Sequence, residues 1–298
     1  MPMQERRQRI RGARTGRHQG VVGEDSFARG FDALGKLAYA GAKVSAAAVD
    51  LQSGQSLIAI DDRIVLPTAS IGKILLLIEV SARLTVNEAA SLDILDRTAA
   101  ESVGDSGVWQ HLHAPSLPVT DVAALVGATS DNVATNVLLR EVGLDAVRTR
   151  AEALGLTKTA LLDVVRDERG PDDAPQVSVG SVAELTWLMT ALSRGQIIDQ
   201  ATSERVLGWL SNNVDLSLVA SSFGLDPLAH RVPDHGIRLI NKTGTDQGVR
   251  SETGLLNGPR AGVAYALTVQ FTDTSLSTRL AVHDAMRTFG LDLLEYVV

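Results

Sequence analysis

Apolar residues recur at helical spacing over 27–40, with Phe31, Leu34, Leu37 and Ala38 on one face, which predicts an amphipathic helix. Residues 43–51 and 55–60 read as strands, and Ser53-Gly54 between them is a tight-turn signal, so the two are expected to form a hairpin. A short extended piece over 63–66 stops at Pro67, and helical spacing returns from Ser70 to about Arg83. Between 86 and about 210 strand signal almost vanishes. Helices are expected there over 86–101, 120–127, 132–142, 145–154, 181–193 and 202–213, with a polar loop over 163–178. Strand character resumes at 238–245, 249–256 and 262–272, where Asn257-Gly258 is a second hairpin signal, and a last amphipathic helix runs from about Ser277 to the end.

That order implies an α/β chain of the α+β type. One antiparallel five-stranded sheet would be completed from both ends of the chain, flanked by the N- and C-terminal helices, beside an all-helical lobe. The expected division is a basic, disordered tail over 1–26, an α/β lobe from 27–66 and 214–298, and a helical lobe over 67–213, together one discontinuous catalytic domain. A cleft between two lobes is a usual place for a site.

Composition narrows the classes. With 298 residues, 45% hydrophobic and 21% charged, the chain has enough apolar content for a large core. It has no run of eighteen apolar residues, so no membrane span is expected. Cysteine is absent, which removes both a disulfide framework and a thiol nucleophile. Residues 1–30 carry a net +4, leaving −11 to the rest of a chain whose total is −7. Arg6, Arg7, Arg9, Arg11, Arg14 and Arg17 fit either a basic nucleic-acid arm or a solvated tail. The lack of aromatics among them and the acidic body favour the tail, so no nucleic-acid partner is expected. Arg6-Arg7 resembles a twin-arginine start, but no apolar segment follows. A cytoplasmic location is the expectation for the sequence as written, with export if the start site is misassigned.

Three short motifs occur in order: Ser70-Ile71-Gly72-Lys73, Ser130-Asp131-Asn132 and Lys242-Thr243-Gly244. Each has a plain structural alternative. Ser70 and the Ser130 trio both suit helix starts, and Lys242-Thr243 suits a polar strand end. Lys73 is harder to explain that way. It lies in a first helical turn, where the helix dipole disfavours a cation, and Ile74-Leu75-Leu76-Leu77-Ile78 follows it. Desolvation and dipole both depress an amine's pKa, which suits a group that must accept a proton from Ser70 one turn away. Gly244 would leave room for a ligand against the backbone.

Taken together, the motifs resemble those of the serine β-lactamase and penicillin-binding protein superfamily, closest to class A β-lactamases. The resemblance covers about 31–298 and extends to Gly104-Asp105-Ser106-Gly107 and to 130–136. It implies a serine hydrolase that opens a β-lactam, or a similar amide or ester, through an acyl-Ser70 intermediate. A penicillin-binding-type D-alanyl peptidase or esterase, or a slowly deacylating β-lactam-binding or sensor protein, is the alternative. Ser70 would be the nucleophile, Lys73 its base or base partner, and Ser130 the relay to the leaving nitrogen. Asn132 would hold Lys73 and the substrate amide, and Lys242 and Thr243 the substrate carboxylate. The backbone N–H groups of Ser70 and Thr245 would form the oxyanion hole. Trp109 is a candidate aromatic wall at the cleft mouth, and Arg250 a candidate carboxylate ligand. The family needs no cofactor, and the expected partner is a small-molecule substrate of a monomer.

The sequence departs from class A where that family carries a Glu-x-x-x-Asn pair on an omega loop. The corresponding stretch, 163–173, contains no asparagine. Glu168 is the nearest acid by type, with Asp163 and Asp167 behind it, and all three also fit solvated loop charges paired to Arg166 or Arg169. His111 and His113 lack a third ligand for a metal. His230 and His235 flank Pro233-Asp234 in a loop and are expected to be exposed.

Overall fold

The computed structural model describes residues 26–298. Apart from Ser26, the tail expected over 1–26 lies outside them. In chain order the elements are α1 (Ala28–Tyr39), β1 (Lys43–Asp50), β2 (Ser56–Ile60), β3 (Leu66–Pro67), α2 (Lys73–Val86), β4 (Ile94–Asp96), β5 (Ser116–Pro118), α3 (Val119–Thr129), α4 (Asn132–Val142) and α5 (Leu144–Ala153). They continue with β6 (Ala160–Leu161), β7 (Ser178–Gly180), α6 (Val182–Ser193), α7 (Gln200–Leu210), β8 (Arg238–Asp246), β9 (Val249–Asn257), β10 (Gly262–Gln270) and α8 (Leu276–Val297).

The antiparallel five-stranded sheet is present, in the order β2-β1-β10-β9-β8, so strands from the two ends of the chain meet where β1 pairs with β10. Both faces are covered. Leu239, Leu256, Val263, Tyr265 and Leu267 face a core shared with α1 and α8, and Ile240, Leu255, Ala264 and Ala266 face one shared with the helices of the middle of the chain. This explains why β10 reads as a nearly continuous apolar run: a strand covered on both sides has no solvent face to keep polar. The N-terminal helix buries Gly30, Leu34 and Leu37 against α8, and the Gly30 amide donates to Asp292 Oδ2 at 2.7 Å.

Two sequence expectations fail in the middle of the chain. The helix expected over 86–101 is instead a 3-10 turn at Glu88–Leu92, the strand β4 and a second 3-10 turn at Ala99–Glu101. Its apolar residues do not form a buried stripe, since Leu92 and Ile94 are exposed, and Thr98 caps the second turn. The near-absence of strand over 86–210 also fails, because β4 pairs with β5 and β6 and β7 join β3 in a second small sheet. These strands have two or three residues each, too short for period-2 alternation to register. No helix of the described residues is long and apolar enough to cross a membrane.

Candidate active site

The chain enters the site through a 3-10 turn, Ala69–Gly72, that runs directly into α2. Ser70 therefore does not cap the helix; it sits inside the turn, and Lys73 is the first α-helical residue. Ala69 holds a left-handed φ of 49°, a costly conformation for a residue with a Cβ. Ser178 on β7 holds the turn in place: its hydroxyl donates to Ala69 O at 2.6 Å and accepts from Gly72 N at 3.3 Å. A side chain at position 72 would meet Ser178 Oγ at 2.9 Å, so only glycine lets the turn lie this close.

Lys73 is fully buried and makes three hydrogen-bonding contacts, to Ser130 O at 2.6 Å, Asn132 Oδ1 at 2.8 Å and Ser130 Oγ at 3.2 Å. Burial, reinforced by the charge of Lys242, pushes its pKa well below the ordinary lysine value, while Asp131 and Asp105 pull it back. The Ser70 hydroxyl makes no hydrogen bond to any described residue, Lys73 included.

Ser130 and Asn132 reach Lys73 because of the junction between α3 and α4. Ser130 ends α3 with φ 56°, and Asp131 starts α4, its Oδ1 accepting from Ala134 N at 2.9 Å. Asp131 Oδ2 also accepts from Val108 N at 2.7 Å and Trp109 N at 2.8 Å. It is fully buried and ties the 104–109 segment to the motif, a role invisible in sequence beyond the capping pattern. Asn132 Nδ2 completes the tie by donating to Gly104 O at 3.0 Å.

The third motif lies on the free edge of the sheet. Asp246 pairs with Val249 across the two-residue turn Gln247-Gly248, so Thr245, opposite Arg250, falls in a non-hydrogen-bonded position. The N–H of Thr245 therefore points away from β9, out of the edge. Gly244 brings that edge against the Ser70 turn: a side chain there would lie 3.1 Å from Ser70 N and would clash with Thr68 O. Lys242 is fully buried beside it, its Nζ donating to Thr243 O at 2.8 Å. Burial lowers the Lys242 pKa to about 8 against the opposing pull of Asp215. For Asp215 burial acts upward, but hydrogen bonds from Ser217 and Thr243 and the charge of Lys242 outweigh it, leaving the carboxyl below its usual range. Thr243 is thus buried on the Asp215 side, while Thr245 is exposed.

Arg250 flanks the edge. Its Nε donates to His283 Nε2 at 3.3 Å, its Nη1 to Asp246 O and Val249 O, and its guanidinium lies 5.9 Å from the Phe271 ring centroid. Burial, followed by the charge of Arg250, lowers His283, keeping the imidazole neutral and able to accept that bond.

Three expectations are corrected here. Trp109 is no cleft wall: it is fully buried, and its indole N–H donates to Ala114 O at 3.0 Å. Glu168 is exposed and makes no hydrogen bond or ion pair among the described residues. The other loop acids are already engaged. Asp163 receives Arg166 at 3.2 Å and Arg169 at 2.9 Å, and Asp167 Oδ1 accepts from Gly104 N at 2.8 Å. Asn136 on α4 clamps the loop backbone through a reciprocal pair with Val165, both bonds 2.9 Å. His230, expected exposed, is buried with Nε2 at 2.8 Å from Asn213 O, whereas His235 is exposed.

Comparison with known proteins identifies the family and the fold. The family model described as the beta-lactamase enzyme family matches residues 27–297. Among solved structures, a beta-lactamase from Sphaerobacter thermophilus shares 24% identity and a TM-score of 0.78, covering 90% of this chain and 96% of its own. A mutant of PBP-A, solved as an acyl-enzyme with penicillin G, gives 18% and 0.72, with coverages of 90% and 97%. A class A beta-lactamase from Mycobacterium abscessus gives 17% and 0.70, with 87% and 97%. Comparison with curated proteins returns no match.

Proposed function

Because the chain belongs to the beta-lactamase enzyme family, we propose that it attacks a β-lactam, or a related amide or ester, with Ser70 and holds the product as a slowly hydrolysed acyl ester. The observation that carries this reading is the Lys73 amine, buried without a carboxylate partner and bonded to Ser130 and Asn132 beside the Ser70 turn. As a free base it donates two N–H groups to Ser130 O and Asn132 Oδ1 and keeps a lone pair. Ser70 turns toward it and gives up its proton, and Ser70 Oγ bonds to the substrate carbonyl carbon. The N–H groups of Ser70 and Thr245 hold the oxyanion. As the C–N bond breaks, the proton moves from Lys73 through Ser130 Oγ to the leaving nitrogen. Lys242 and Arg250 supply positive charge for a carboxylate, and the Thr243 hydroxyl, which donates to Asp215 in the free protein, would turn from it to join them.

Hydrolysis of the ester needs a base that activates water, and a positioned one accelerates such a step ~10²–10⁴-fold. The loop over 163–177 supplies no acid held in position: Asp163 is paired with two arginines, Asp173 with Arg166, Asp167 accepts from Gly104 N, and Glu168 and Asp172 are exposed without a partner among the described residues. That favours the behaviour of a penicillin-binding or slow lactamase over rapid turnover. Intact-protein mass spectrometry after incubation with a penicillin tests the proposal. A lasting adduct that maps to Ser70 is expected; fast, complete hydrolysis without a detectable adduct contradicts slow deacylation, and no reaction with any lactam points to another amide or ester.

A further inference from the structure

Along the exposed Thr245 edge a groove of about 410 Å³ runs between the Gly104–Gly107 turn on one side and the β8–β9 hairpin with the start of α8 on the other, lined by Asp105, Thr245, Asp246, Gln247, Arg250 and Arg279. Asp105 stands alone on the first wall, and the second carries two guanidiniums beside Asp246, whose Oδ1 accepts from Gln247 N. Asp105 is exposed, and its carboxylate makes no hydrogen bond or ion pair among the described residues, with either arginine or with anything else. Yet it is close enough to the site for its charge to act on Lys73.

The residue is not placed there by slack in the chain. Its backbone is held at φ 63° and tied on both sides: Gly104 N to Asp167 Oδ1, Asn132 Nδ2 to Gly104 O, Gln110 Nε2 to Asp105 O at 2.9 Å, and Asn132 N to Ser106 O at 3.0 Å. Asn132, a residue of the second motif, supplies two of these ties, so the Asp105 wall is fixed relative to Lys73. An unpaired carboxylate carried on a fixed backbone and facing an open groove favours a ligand cation.

Resting on the acyl-Ser70 reading, we propose that Asp105 is a specificity residue, selecting substrates that carry an ammonium or similar cationic substituent in addition to the carboxylate that faces Arg250. The substrate class is then a zwitterionic lactam or amide. An acid at this wall also disfavours substrates with a second anionic substituent.

The test uses two penicillins that differ by one α-amino group, benzylpenicillin and ampicillin, below about pH 7 where an α-amine is charged. The readout is the ratio of their second-order acylation rates, whatever a substitution does to the rate they share. The unsubstituted protein is expected to favour the amino compound about threefold to tenfold, a margin that added salt reduces. Asp105→Asn, which tolerates the same left-handed backbone, brings the ratio near one, and Asp105→Lys inverts it. Adducts from both compounds with a ratio that Asp105→Asn leaves unchanged would overturn the specificity role alone. Neither adduct nor hydrolysis with either compound overturns the lactam reading and this role with it.

Discussion

Two lysines at the centre of the site share one buried environment and are put to opposite uses. Lys73 has no carboxylate within hydrogen-bond reach and is driven toward the neutral amine; Lys242 feels Asp215 and keeps its proton until about pH 8. Replacing Lys73 by alanine removes the amine proposed to accept the Ser70 proton, so acylation of Ser70 by a penicillin should slow ~10²-fold or more. An unchanged rate of adduct formation, followed by stopped-flow or mass spectrometry, would remove Lys73 from the mechanism. For Lys242 the sign runs the other way. Its cation is present below pH 8 and lost above it, so the acylation efficiency toward a carboxylate-bearing lactam should fall as pH rises through about 8. Lys242→Arg keeps the charge at high pH and should abolish that alkaline limb; a limb that survives in the arginine variant belongs to another group.

Elements place these residues, and beneath β8 lies one buried acid that no motif announced. Glu252 on β9, opposite Thr243, accepts from Val219 N at 2.8 Å and Ala220 N at 3.3 Å, from Asn241 Nδ2 at 2.8 Å and from the Tyr265 hydroxyl at 2.7 Å. It thereby fastens the strand bearing Lys242 to β10 and to the 3-10 turn Val219–Ser222. Burial raises its pKa from 4.5 to about 7, with those hydrogen bonds opposing and Asp215 adding to the rise. A raised carboxyl favours the fold in its protonated form. Its contribution is therefore fully present below about pH 4.5 and lost as pH rises through about 7, a change on the order of 3 kcal/mol. Denaturant midpoints across that window should fall for the unsubstituted protein, and Glu252→Gln should flatten the decline; parallel curves for both proteins would place the titration elsewhere. Glu252 shows what the sequence reading reaches at this scale. The strands around it were legible because short apolar stretches such as Leu239-Ile240 and the Asn257-Gly258 turn are local signals, and the helix over 132–142 because Asp131 caps it and its pattern holds throughout. The four-way clamp was not legible, since its partners come from β8, β10 and a turn some 30 residues upstream and share no spacing.

For the molecule as a whole, the same contrast separates the half of the reaction that reads from sequence from the half that does not. The proposed acylation apparatus comprises three motifs of fixed local spacing, brought together because a sheet completed from both chain ends sets β8 beside the α2 entry turn. The deacylation apparatus would have to come from the 163–177 loop, whose meaning depends on long-range pairing. By residue type Glu168 was the best acid there, but the fold turns it to solvent and places the Asn136–Val165 clamp and the Asp163 ion pairs on the inner side. Rapid mixing with a chromogenic lactam should therefore give a burst of about one equivalent per protein, set by the intact Ser70 apparatus, followed by a slow steady state. Glu168→Gln should change neither the burst amplitude nor the slow rate, because a carboxylate in solvent without a fixed partner has no defined position from which to activate a water. If the slow phase drops by ten-fold or more in that variant, the loop must close over the acyl-enzyme and carry Glu168 inward, and deacylation would then depend on a rearrangement driven by the bound acyl group rather than on the free protein's geometry.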